Sequence, residues 1–185
     1  LGIKCQDKLV VIFGGSLGAK KINESVIDMV CRHYKDIDCK IILGTGKKQY
    51  DEVLNRLGSF KPPSVEVVPY IYDMASAMRA ADLVVCRAGA ITVSELTALG
   101  VPSILIPSPN VTANHQEFNA RALEREGAAS VLLERDLNGL VLYRKMTGLL
   151  KNSTRLISMS KAASGMGITN AAEKLYSLSL ELVDK

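Results

Sequence analysis

The stretch LVVIFGGSLGAKKINESVIDMV, residues 9–30, places a short apolar run, a glycine-rich turn and a helical pattern in immediate succession. Leu9–Phe13 is rich in β-branched residues and too short for a helix, which suits a strand buried on both faces. Ile22, Val26, Met29 and Val30 then recur at helical spacing along one face. The same alternation continues downstream. Further short apolar runs stand at Lys40–Leu43, Val65–Val68, Asp82–Cys86, Ser103–Ile106 and Ser130–Leu133, and Tyr50, Val53, Leu54 and Leu57 form a second helical stripe. Gly58, Gly100 and Gly127 each follow a helical stretch, where a left-handed C-cap is expected, and Pro102 comes soon after the second. Repeated strand-then-helix units at this spacing predict an α/β fold, a doubly wound parallel sheet, over roughly residues 8–135.

From about Asp136 onward the strand pattern stops. A helical C-terminal tail is expected over about 136–185, with Asp136, Ser153 and Thr169 or Asn170 as caps. Leu175, Leu178 and Leu182 make an apolar stripe on its last helix. The tail is longer than such a sheet needs, so it is expected to pack against something outside this chain. Residue 1 is Leu, which suggests a piece of a longer or processed protein.

The bulk numbers narrow the classes. A chain of 185 residues with 48% hydrophobic and 23% charged residues is one globular domain, not a disordered, collagen-like or disulfide-stapled one. A net charge of +4 suits an anionic ligand but is too weak to imply nucleic acid. Without Trp, and with 5% aromatics, a base-stacking platform is not expected. Cys5, Cys31, Cys39 and Cys86 form no CxxC pair, and three of the four lie in or beside apolar runs. That usage points to a reducing, cytoplasmic compartment. No apolar run approaches the length of a membrane span, and no signal peptide is visible.

In an open parallel sheet, ligands sit outside the carboxyl ends of the strands, so the loops leaving each strand carry the information. Gly14-Gly15-Ser16-Leu17-Gly18-Ala19 opens the first helix, where backbone N–H groups and the dipole favour a diphosphate. It is not a P-loop, since no Gly-Lys-Ser/Thr stands at the required offset, and Ser16 breaks GxGxxG. The second strand ends in Gly44, so the acidic ribose anchor of a dinucleotide site is missing. The loop does match G-x-S-x-G, and Ser16, Asp82 and His115 fall in the chain order of an α/β-hydrolase triad. Against that serine-enzyme alternative, no upstream strand or loop supplies a second oxyanion donor.

In the loop 86–95, Thr92 and Glu95 have the spacing of a capping box, a sufficient structural explanation for both. Equally, a carboxylate at a strand's carboxyl end can accept hydrogen bonds from two ribose hydroxyls. The residues alone leave these readings level. Arg87 reads as a surface charge or a phosphate contact. Beyond Pro107, His115 reads as a base, a sugar-hydroxyl partner or a plain helix-start residue, and Gln116 offers both a donor and an acceptor. His33 lies within a helical run and reads as a bland flank residue. Pro69–Met74 leaves a strand on the same side, with Asp73 placed to cap the next helix and free backbone groups placed to read a base edge.

GGSLGA at 14–19, YIYDM at 70–74, CRAGAITVSE at 86–95 and NHQEFNA at 114–120, in this order, resemble the MurG family. These are the N-acetylglucosaminyltransferases that convert lipid I to lipid II in bacterial peptidoglycan synthesis. The resemblance covers essentially the whole chain but only the family's C-terminal domain. It implies one Rossmann-like half of a GT-B glycosyltransferase, residues 1–185 being a single domain that binds the UDP-GlcNAc donor. Lipid I, the proposed catalytic base and much of the membrane contact would then belong to an N-terminal domain outside this chain. Gly15, Ser16 and Gly18 would contact the diphosphate, the Ile71 backbone the uracil edge and Glu95 the ribose hydroxyls. Arg87 and the backbone of Ala90, Ile91 and Thr92 would line the nucleotide pocket. Gln116, with Asn119 and His115, would face the sugar or its phosphate. Ala88 stands where many members have Ser. The resemblance also implies an inverting transfer with no cofactor and no obligatory metal, and a cytoplasmic protein peripheral on the inner face of the membrane. It moves Glu95 towards the ribose role. A non-catalytic nucleotide-sugar subunit working with a partner chain is a further alternative.

Overall fold

A computed structural model describes residues 7–60 and 62–183. Six strands are present: β1 (Leu9–Phe13), β2 (Lys40–Gly44), β3 (Val65–Val68), β4 (Leu83–Cys86), β5 (Ser103–Leu105) and β6 (Ala129–Val131). They form one all-parallel sheet in the order β3-β2-β1-β4-β5-β6. Every apolar run read from the sequence is a strand, with ends shifted by a residue or two. The order reverses between β1 and β4, which is the switch point where a ligand crevice is expected.

Register sets the level of the crevice. Phe13 pairs with Gly44 on one side and Cys86 on the other, Gly44 with Val68, Cys86 with Leu105, and Leu105 with Val131. All six carboxyl ends therefore stop in one row, and six loops leave from the same edge. Each strand of the sheet's centre is dry on both sides. Val10 and Ile12 join one apolar cluster, while Leu9, Val11 and Phe13 join the other. Full burial of such a side chain contributes about 1.5–3 kcal/mol, so the scaffold beneath the loops is rigid.

The helices are α1 (Lys20–His33), α2 (Tyr50–Leu57), α3 (Met74–Ala80), α4 (Ala90–Leu99), α5 (His115–Arg125), α6 (Gly139–Leu150), α7 (Ser153–Met166) and α8 (Ala171–Val183). Ile22, Val26, Met29 and Val30 of α1 are all buried, as their spacing predicts. Gly100 closes α4 in the left-handed conformation, at φ 66° and ψ 38°. Gly58 and Gly127 also have positive φ, though Gly58 takes ψ −127° rather than the left-handed helical value.

The tail departs from expectation in two ways. Its caps are Asn138 and Asn152, whose Oδ1 atoms accept from the N–H of Val141 and Arg155 at 3.0 and 2.9 Å. Asp136 instead ends a 3-10 turn, Ser153 is the first residue of α7, and Asn170 directly precedes α8. Asn at the N-cap serves as well as Asp or Ser, so neighbouring candidates compete and local sequence does not choose. Second, most of the tail is not surplus. α6 packs on α1 and α7 on α4, completing the two helical layers. Only α8 keeps its apolar stripe open, with Leu175, Leu178 and Leu182 exposed by 66%, 56% and 76%. No helix among the described residues is long and apolar enough to cross a membrane.

Of the cysteines, Cys39 and Cys86 are buried and Cys31 is exposed; Cys5 lies outside the described residues. Burial, reinforced by the negative charges of Asp38 and Asp82, pushes the Cys39 thiol up to about 12. Burial first, and Glu95 second, raise the Cys86 thiol as well. His33 stacks on Tyr143 with ring centroids 4.5 Å apart, a packing role at the edge of α1.

Candidate active site at the sheet switch point

The glycine-rich loop is shaped by its neighbour, the loop after β2. Gly18 has φ +76° and Gly46 φ +82°, and the two lie back to back. A Cβ on Gly18 would overlap the Thr45 carbonyl, and one on Gly46 would overlap the Gly18 amide. Asn23 Nδ2 bridges Thr45 O and Gln49 Oε1, each at 2.9 Å, and Gln49 Nε2 reaches Leu17 O at 3.3 Å. Glycine therefore does two things here: it adopts the positive φ and it admits close backbone approach. Only the first of these two loops was singled out from sequence, although Gly44-Thr45-Gly46 at a strand end was a visible signal.

Helix starts around the switch point share one property. α1, α4 and α5 begin at Ala19, Gly89 and Asn114 with no side chain capping them. The first N–H groups of α1 and α4 are left for something else, whereas α5 continues from a 3-10 turn and its first N–H, that of His115, donates to Thr112 O. By contrast, Asp73 Oδ1 accepts from Ser76 N–H at 3.1 Å to cap α3, and Asn138 caps α6. Asp73 leaves β3 at the carboxyl edge, whereas α6 starts against Asp28 and Met29, in the far half of α1. Hydrogen bonding from Ser76, side chain and amide, holds the Asp73 carboxyl below its ordinary value. The α1 and α4 starts follow the two central strands β1 and β4, so their positive dipole ends face one crevice, which suits an anion; α2, after β2, also lacks a side-chain cap.

The capping-box reading of Thr92 and Glu95 is corrected by this geometry. Gly89 is the N-cap of α4, which puts both residues inside the helix. Glu95 is exposed, and among the described residues no group hydrogen-bonds to its carboxylate. It lies near enough to Cys86, at the carboxyl end of β4, to act on that thiol. Ala90, Ile91 and Thr92 form the open first turn, and the Ile91 side chain stands 77% exposed.

Ile71 sits above the end of β2. Its side chain packs where a Cβ on Gly44 would stand, 3.1 Å from Cδ1. This is why β2 ends in glycine rather than in an acidic anchor. The Ile71 N–H and C=O form no hydrogen bond within the described residues. Tyr70 and Tyr72 meet edge to face beside it at 5.2 Å, with Lys47 Nζ 5.9 Å from the Tyr70 ring.

The loop after β5 reaches α5 through strained backbone. Ala113 and Asn114 both have positive φ, 52° and 51°, which non-glycine residues rarely adopt. His115 Nδ1 bonds Thr112 O at 2.9 Å, leaving Nε2 outward. Gln116 Oε1 accepts from Ser108 N–H at 2.9 Å, and Asn119 Nδ2 donates to Ala88 O at 3.0 Å. Each amide has its other end free. Arg87 is neither a surface charge nor an open phosphate contact. Its Nη1 donates to Ile106 O and Pro107 O at 3.1 and 3.2 Å, and its Nη2 pairs with Glu134. Glu134 was not singled out from sequence, and a lone acid in a 3-10 turn gives no signal. A groove of about 500 Å³ opens beside this pair, with Lys21, Pro107, Ser108 and Glu117 on its walls.

The hydrolase triad is overturned. Asp82 precedes β4 at the amino edge of the sheet, bonded to Lys8 Nζ at 2.9 Å and Leu9 N–H at 2.8 Å. Ser16 and His115 stand at the carboxyl edge, about 13 Å away along a four-residue strand. No group of three or more metal-ligating side chains is gathered among the described residues.

Comparison with known proteins agrees with this architecture. The chain is 58% identical over 178 residues to the UDP-N-acetylglucosamine--N-acetylmuramyl-(pentapeptide) pyrophosphoryl-undecaprenol N-acetylglucosamine transferase of Acetivibrio thermocellus, covering 96% of this chain and 48% of that protein. The enzyme of the same name from Ruminiclostridium cellulolyticum is 46% identical over 185 residues, 99% of this chain and 50% of that one. Among solved structures, Acinetobacter baumannii MurG superposes with a TM-score of 0.81 at 31% identity, over 95% of this chain and 50% of that one. The chain thus spans about half the length of the curated relatives it matches. Residues 9–175 match the glycosyltransferase family 28 C-terminal domain, and the chain belongs to that family.

Proposed function

We propose that this chain is the donor half of an inverting glycosyltransferase that moves GlcNAc from UDP-GlcNAc to lipid I, giving lipid II for peptidoglycan. The observation that carries the proposal is the convergence of the uncapped starts of α1 and α4 on the switch point, beside an exposed Glu95 that has no hydrogen-bond partner among the described residues. In this reading the amides of Gly15 and Ser16 and the first turn of α1 hold the diphosphate, while Gly18, whose N–H donates to Gly15 O at 3.0 Å, shapes the loop instead of contacting the ligand through its amide. Ile71 offers its backbone to the uracil edge, and Glu95 takes the ribose hydroxyls. The open turn at Ala90–Thr92 lines the nucleotide, while Gln116, Asn119 and His115 face the sugar. Arg87 serves the same pocket from beneath, through the loops it ties together.

Chemically, the donor half stabilises the charge that develops as UDP departs. Preoriented N–H groups at helix ends do this without reorganising at the moment of reaction. The base and the acceptor site belong to the other half of the longer protein, as does contact with the inner face of the membrane. The relatives' double length supports that division. Calorimetry tests the proposal: the folded chain binds UDP and binds UDP-GlcNAc, and no detectable heat with either refutes it.

A further inference from the structure

Glu134 stands on the 3-10 turn after β6, outside every loop assigned above to the donor. Its carboxylate is largely shielded, with side-chain exposure of 21% against 15% for Arg87. Arg87, at the end of β4, spends its Nη1 on the carbonyls of Ile106 and Pro107 and its Nη2 on Glu134. One guanidinium thereby joins the loops leaving three adjacent strands. From Pro107 the chain runs to Ser108, whose N–H is held by Gln116, and on through the strained Ala113 and Asn114 to α5. Asn119 of α5 returns to Ala88, one residue after Arg87, and closes the ring.

We propose that Glu134 is a positioning residue for the donor sugar: by holding Arg87, it fixes the 106–114 loop and so the free amide ends of Gln116 and Asn119. The inference deepens the donor-site reading and rests on it. Glu134 touches no ligand in this scheme. Two features make it more than a surface pair. The positive-φ pair Ala113–Asn114 is held locally, by Asn114 N–H on Val111 O at 3.2 Å and Asn114 Nδ2 on Glu117 Oε2 at 2.8 Å, and the ring is what ties that segment, through residues 106–108, to the strand ends. A shielded cation that loses its partner must also find another, so removing Glu134 frees Arg87 to leave the Ile106 and Pro107 carbonyls. The diphosphate loop is clamped separately by Asn23 and Gln49 and does not depend on the ring.

The test compares UDP with UDP-GlcNAc on wild type, Glu134→Ala and Glu134→Gln by calorimetry, with hydrogen exchange at Ser108–Asn114. Glu134→Gln keeps an oxygen for Arg87 and guards against a variant that fails to fold. For Glu134→Ala, UDP affinity stays within about two-fold, while the affinity that the sugar adds over UDP falls about ten-fold, the scale of one neutral amide–hydroxyl hydrogen bond. Exchange in the loop speeds up, and Glu134→Gln recovers most of both effects. Equal losses for UDP and UDP-GlcNAc, or a sugar increment unchanged in both variants, overturn the proposal. Failure of the wild type to bind either ligand is a separate result; it refutes the donor reading and this inference with it.

Discussion

Replacing Glu95 by Ala separates two roles that the same side chain was able to play. If its carboxylate accepts hydrogen bonds from the ribose hydroxyls, truncation removes charged hydrogen bonds worth about 1–3 kcal/mol together, a rise in the Kd for UDP of roughly 5- to 150-fold. Stability should hardly move. Glu95 lies inside α4, which starts after Gly89, and is exposed with no partner among the described residues, so no cap and no ion pair is lost. An exposed substitution of this kind stays within about 0.5 kcal/mol, or less than about 2 °C in Tm for a chain of this size. Loss of an N-cap would instead cost about 1 kcal/mol. Calorimetric titration with UDP and a melting curve on the same preparation give both numbers. A Kd unchanged within two-fold, or a Tm lowered by several degrees, refutes the reasoning. Glu95→Gln keeps one acceptor oxygen without the charge and should fall between.

Gly18→Ala and Gly15→Ala test the interlocked loops. Both glycines have positive φ, which costs an alanine about 1–2 kcal/mol, but only Gly18 also meets backbone, so denaturant unfolding should show the larger loss at Gly18. Equal losses would mean that the Gly18–Thr45 contact is not close. Asp73 has a lowered native pKa, so its contribution is present above the ordinary carboxylate range and disappears as pH falls through the lowered value. NMR titration should place that carboxyl below the ordinary aspartate range, and Asp73→Asn should flatten its share of the acid limb. Among the described cysteines, Cys31 should react with a thiol reagent at neutral pH in the native protein, while Cys39 and Cys86 wait for unfolding. Fast native labelling of Cys39 would show that its cluster opens. A serine-directed phosphonate should leave Ser16 unlabelled, because Asp82 lies on the opposite edge; covalent modification would restore the hydrolase alternative.

Much of this protein is legible in the sequence for a local reason. Strands buried on both faces are short β-branched runs, and their helices carry their own stripe, so Leu9–Phe13 and Ile22–Val30 declare themselves without neighbours. The loops 14–19 and 86–95 likewise sit where strand meets helix, and the order of such loops sufficed to name a family. Choices among equivalent groups were not legible. Asn152 against Ser153 as a cap turns on one residue of helix phase, which packing of α7 on α4 sets.

The site divides in the same way. Backbone chemistry at Gly15, Gly18 and Ala90–Thr92 was fixed by residue type, because glycines and helix starts act through groups that every chain carries. Partnerships across the sheet were decided only on folding. Glu95 lost its capping role once α4 began after Gly89, Asp82 was carried to the far edge, and Arg87 turned inward to Glu134, 47 positions away in sequence. A side chain's role depends on which acceptor lies within about 3 Å, and for residues on separate strands that distance is set by parallel register, not by spacing along the chain.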